Sequence, residues 1–161
     1  MASKPKPKRD KAHRPKAVTL NPLNYFIGGL KKVDPEMLVE VHCKNHESIR
    51  AIMTGAGTVE HYTQMTSFIN MALILEVEHF DGTYRKLIEA GHAAGHAVGC
   101  RYLKLNKFVF RAHELAAINN TVIIHEVQME TLRVIDIERA YDIIKDRDRT
   151  GKGVLKLFPV V

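Results

Sequence analysis

Cysteine is scarce in this chain: Cys43 and Cys100 are the only two among 161 residues. A single pair is too few for a disulfide framework, so the expected setting is reducing and cytoplasmic. Serine offers no obvious nucleophile, because Ser3, Ser48 and Ser67 all lack the flanking glycines of a strand-to-helix elbow. Long apolar runs are missing as well. Nothing approaches the roughly 18 residues that a membrane-spanning helix needs. Residues 17–30, the one candidate targeting segment, are interrupted by Thr19, Asn21, Pro22 and Asn24. There is no internal repeat and no sustained period-two alternation between hairpin turns. Strands should therefore be minor, with residues 107–110 the best short candidate.

The bulk of the chain also lacks net charge. Of the 24 Lys and Arg residues, seven lie in the first sixteen positions: Lys4, Lys6, Lys8, Arg9, Lys11, Arg14 and Lys16. Only Asp10 offsets them there. The remaining seventeen basic and seventeen acidic side chains balance, so the whole net charge of +6 belongs to this segment. Three prolines among those cations leave little that could be buried, and residues 1–20 are expected to form a disordered basic tail. A cationic tail points to a tether for nucleic acid or another polyanion rather than to a basic groove. It has no interleaved aromatics, so base stacking is not expected from it.

Residues 21–33 form an apolar transition with loop punctuation at Asn21-Pro22 and Gly28-Gly29. Helical spacing of apolar residues then dominates residues 34–149. Asp34-Pro35 opens a first helix that Gly55 and Gly57 stop, and Thr58 caps a second that ends near Phe80-Asp81-Gly82. A third is expected over residues 83–103, with Tyr84 and Leu87 among its inward residues. A fourth is expected over residues 112–146, about 50 Å long. The expected fold class is all-α, a four-helix up-and-down bundle. The fourth helix carries two apolar stripes, one with Leu115, Ile118 and Val122 and one with Ile123, Val127 and Val134. Such a helix is either central, with Glu126, Glu130, Arg133 and Asp136 paired among themselves, or shared across a homodimer seam.

Several constellations invite chemistry. Gly91, Gly95 and Gly99 recur at four-residue intervals in the third helix, each costing about 1 kcal/mol against alanine. Their expected role is close helix contact. His92, His96 and Cys100 follow them at the same spacing, but eight residues advance about 12 Å along a helix. That is too far for three ligands to one zinc ion. Glu76-x-x-His79 and Glu89-x-x-His92 match a di-iron ligand pattern, yet Glu89 falls off the apolar stripe. His42, Cys43 and His46 allow a Cys-His nucleophile to be imagined, without an orienting partner. Thr150-Gly151-Lys152-Gly153 lacks phosphate-loop spacing. The sequence therefore predicts no metal, no cofactor and no enzyme, with a metal-binding helical bundle as an alternative reading.

Residues 150–161 read as a glycine linker and an apolar peptide, in which Leu155, Leu157 and Phe158 are the expected partner-binding anchors. Leu155-Lys156-Leu157-Phe158 resembles the last four positions of the bacterial sliding-clamp-binding pentapeptide, with Val154 where that motif has glutamine. This resemblance implies an inhibitor or adaptor of a host complex. The Lys/Arg-Pro start followed by helices loosely resembles the small basic helical proteins of proteobacterial phages and prophages, a likeness that implies no established activity and no site residue. The function expected from the residues is a small accessory protein that holds nucleic acid through its tail and a protein partner through its body, with no membrane contact.

Overall fold

A computed structural model describes residues 28–150, and the named elements within them are all helices. Helix α1 (Pro35–Met53) starts as the sequence requires: the Asp34 carboxylate accepts the Glu36 N–H at 2.8 Å and proline occupies the first turn. It stops at Thr54, where Gly55 takes φ +80°, a left-handed conformation that glycine adopts without strain. Helix α2 (Val59–His79) opens on a capping box in which histidine replaces the usual glutamate. The Thr58 hydroxyl accepts the His61 N–H at 3.4 Å, and His61 Nδ1 accepts the Thr58 N–H at 3.1 Å. Asp81 and Gly82, both at positive φ, turn the chain into α3 (Arg85–Leu105). Asn106 closes α3 at φ +50°.

The next stretch differs from expectation. Instead of one helix over residues 112–146, there are two, α4 (Ala112–Thr131) and α5 (Val134–Thr150), which makes five named helices rather than four. No glycine or proline marks the break. Leu132 is extended (ψ 165°), and the following backbone pairs with the segment before α1: Lys32 bridges Arg133, and the Val134 N–H donates to the Lys31 carbonyl at 3.0 Å. Asp136 then restarts the helix. Its carboxylate accepts the Arg133 N–H at 3.3 Å and the Arg133 Nε at 3.0 Å, much as a capping residue would. The charges that were expected to interrupt a continuous stripe, Arg133 and Asp136, thus divide it.

The centre of the structure is α2, which packs against α1, α3, α4 and α5. Its apolar residues run most of the way round, and Tyr62, Met65, Ile69, Ala72 and Leu75 are fully enclosed. Two core clusters result. The larger joins Ile52, Tyr62, Phe68, Val98, Ile118 and Val122; the smaller holds Ile74, Leu75, Met129 and Ala140 against α5. Residues 107–110, the strand candidate, form a connection without strand structure. Phe108 plugs the core there, its ring stacked on Tyr62 (centroids 4.9 Å apart) and on Tyr102 (4.0 Å). Burying such a side chain contributes about 2–3 kcal/mol, so the alternating pattern reflects one anchor in a loop rather than a pleat. Among the described residues no helix is long and apolar enough to cross a membrane.

Candidate functional site

The seven cations between Lys4 and Lys16, and Leu155, Leu157 and Phe158, lie outside the described residues. The glycine stripe lies inside them. Gly91, Gly95 and Gly99 are all buried on α3. A Cβ on Gly91 would sit 2.0 Å from Thr121 Oγ1 and 3.0 Å from Thr121 Cβ on α4. One turn on, the Tyr62 hydroxyl donates to the Gly95 carbonyl at 3.2 Å. Burial, with a smaller contribution from Cys100, pushes the Tyr62 phenol up to about 12. Small residues here admit a threonine from α4 and a tyrosine from α2 to the α3 backbone.

The histidine, cysteine and glutamate patterns have separate fates. His96 and Cys100 approach each other along α3, with Sγ 3.6 Å from Nδ1, while His92 Nε2 is buried without a partner. Glu76 is fully buried, but both its oxygens are engaged: one accepts the Tyr84 N–H at 2.6 Å, the other the Gln128 amide at 3.0 Å. It caps α3 and ties α2 to α4. Glu89 is exposed and pairs with Arg85 at 2.8 Å. Among the described residues no group of three or more His, Cys, Asp or Glu side chains is placed to hold a metal ion. On α1, Cys43 is exposed, and His46 is engaged by Glu126 of α4 at 2.7 Å rather than by the thiol.

One ion pair is almost enclosed. Arg101 of α3 grips Glu114 of α4 with two parallel bonds, Nη1 to Oε2 at 3.0 Å and Nη2 to Oε1 at 2.5 Å, and also donates to the Val109 carbonyl. Burial alone would raise the Glu114 carboxyl. The Arg101 guanidinium and the Arg111 N–H override this and hold it below the usual carboxylate value. Fixed on both sides, the pair serves structure.

Two surface features combine apolar lining with a buried polar group that lacks a partner. The first is apolar. Tyr84 at the start of α3 and Ile123 and Val127 on α4 are each about half exposed, against the expectation that Tyr84 faces inward. With Phe80, Ile124 and Gln128 they line a cavity of about 190 Å³. Gln128 is only 2% exposed, and its Oε1 has no hydrogen-bond partner. The second is a mixed cleft of about 130 Å³ between α1 and α2 with α4 at its floor, lined in part by Val41, Asn45, Phe68 and His125. Sequence reasoning missed both. His125 and Gln128 interrupt the buried residues Val122 and Met129, and a polar residue on an apolar stripe was the signal available.

No protein family, curated protein or solved structure matches this chain.

Proposed function

We propose that this protein is a non-enzymatic accessory factor that holds a polyanion, nucleic acid in the first place, through the cations between Lys4 and Lys16, and a protein partner through its helical body. What carries the proposal is the segregation of charge: all six net positive charges reside in residues 1–16, and the rest of the chain is neutral. Phosphate neutralisation by such a segment gives sequence-independent affinity that falls steeply with salt. The body contributes a different kind of contact. Tyr84, Ile123 and Val127 expose a contiguous apolar surface around a cavity, the aromatic-centred composition that protein interfaces favour. A second copy of the chain is the simplest partner for this surface, because an isologous pairing would cover it on both subunits at once. The apolar C-terminal anchors Leu155, Leu157 and Phe158 offer a further contact for a host protein.

The test keeps the chain whole. Replacing Lys4, Lys6, Lys8, Arg9, Lys11, Arg14 and Lys16 together with glutamine should abolish retention on immobilised duplex DNA and on heparin at low salt. Equal retention by the substituted chain would assign polyanion binding to the body and refute the proposal.

A further inference from the structure

We propose that the cleft between α1 and α2, lined by Asn45 and His125, is a binding site for a small neutral molecule carrying a hydrogen-bond donor and acceptor side by side, as in a lactam, a urea or a cis-amide.

Two buried side chains that line it each keep one nitrogen without a partner. Asn45 is completely buried, and its Oδ1 accepts the Gln64 amide at 2.8 Å, which leaves Nδ2 facing no partner. His125 is 3% exposed, and its Nδ1 has no partner either. Both residues line the same cleft. An unmet buried donor or acceptor is costly, and the two side chains that carry one here border the same cleft, each nitrogen lying just beneath its surface. Asn45 Nδ2 can only donate, so the ligand must offer an acceptor there. The neutral imidazole either donates or accepts at Nδ1 depending on its tautomer, and a ligand with both functions fits either form.

Charge and shape narrow the class further. The cleft is lined by Val41, Phe68, Met71 and Met129 beside Asn45, Gln64, Ser67 and His125, with no carboxylate, lysine or arginine. A charged ligand would be desolvated here without a counter-charge, which disfavours it. His125 adds none, since burial first and the neighbouring His42 second push it down to about 3. A cavity of about 130 Å³ is close in size to apolar cavities that accept a single six-membered ring. The Phe68 ring, stacked on His125 at 6.1 Å, supplies a flat wall. Both orphan nitrogens are shielded from water, so a side chain must yield to admit the ligand. Met71 and Met129, unbranched and flexible, are suited to that.

2-Pyridone is the probe: one small neutral ring with adjacent N–H and C=O. Titrated into the full-length ¹⁵N-labelled protein, it should give saturable shifts centred on the Asn45 side-chain NH₂, the His125 ring nitrogens and the backbone of Ser67 and Phe68. His125→Phe preserves the ring stack and should weaken binding about tenfold or more, the worth of one buried hydrogen bond left unmade. Asn45→Ala should do the same, and the amide spectrum of each variant reports whether it is folded. Benzene and benzoate, which lack the paired groups or add a charge, should bind at least tenfold more weakly than 2-pyridone. No saturable shift in the unaltered protein up to the probe's solubility limit would overturn the proposal, and bound water cross-relaxing to the Asn45 NH₂ would then show that the nitrogens are merely hydrated. So would benzene or benzoate binding as tightly as 2-pyridone.

Discussion

Gly91→Ala probes the α3–α4 contact with a single methyl group. The new Cβ would lie 2.0 Å from Thr121 Oγ1, a separation no pair of atoms tolerates, and 3.0 Å from Thr121 Cβ. Thr121 can swing its hydroxyl to its other helical rotamer, but it then gives up its bond to the Ala117 carbonyl (2.9 Å), which costs about 1 kcal/mol. The Cβ–Cβ crowding survives that rotation, so the two helices must also part by a few tenths of an ångström, an overpacking cost of about 1–3 kcal/mol. Against this stands the gain of about 1 kcal/mol for alanine over glycine within a helix. The net expectation is destabilisation by about 1–3 kcal/mol, read from the midpoint of urea unfolding at an unchanged slope. Thr121→Ala removes the offending hydroxyl, so in a double-mutant cycle it should recover part of the loss, with a coupling of at least about 1 kcal/mol. Gly91→Ala raising the stability, or effects that simply add, would refute the close approach: the glycine stripe would then face open space.

Other expectations follow from individual groups. His125 is held neutral when folded and titrates near 6.5 when unfolded, so its contribution is complete above pH 6.5 and is lost as pH falls toward about 3. Between pH 7 and pH 5 that loss amounts to about 2 kcal/mol. Urea unfolding at the two pH values should show it, and His125→Phe should flatten the difference; an equal pH dependence in the variant would place the titration elsewhere. Arg101→Leu strands the buried Glu114 and should cost about 3 kcal/mol or more. Leucine at both positions should recover much of it; a neutral Arg101→Leu would show that the pair is not enclosed. Ile123→Glu with Val127→Glu changes two half-exposed side chains, so melting should barely move while any self-association seen by sedimentation disappears. A marked drop in melting temperature would instead assign those residues to the core.

The helical class was legible because the caps and the apolar spacing agreed. Asp34-Pro35, Thr58 and the Asp81-Gly82 turn all sit where the sequence places them. The break between α4 and α5 was not legible, since it depends on a tertiary partner, the backbone of Lys31 and Lys32 pairing with residues 133 and 134. Local pattern carries no trace of a bridge across a hundred residues. The strand candidate at residues 107–110 failed for a related reason: the apolar spacing there records Phe108 inserting between Tyr62 and Tyr102. Tyr84 and Leu87 sit on the right period for an inward stripe, yet their neighbours cover them only in part, and they stay about half exposed. The cleft residues were visible only as anomalies. Asn45 lies on the α1 face that holds Ile49 and Ile52, and His125 lies between Val122 and Met129. Such a position reveals that a polar group is buried, whereas whether it finds a partner depends on the neighbouring helix.

The central claim is that the cations between Lys4 and Lys16 bind polyanion and the body does not. The affinity of the full-length chain for a duplex DNA of random sequence, measured across a series of salt concentrations, tests it most directly. Each phosphate neutralised contributes about −0.9 to the slope of log K against log salt, so full engagement of seven cations predicts a slope of about −6. The chain with all seven replaced by glutamine should show almost no binding and no slope. A shallow slope for the natural chain, or an unchanged slope after the seven substitutions, would contradict the account.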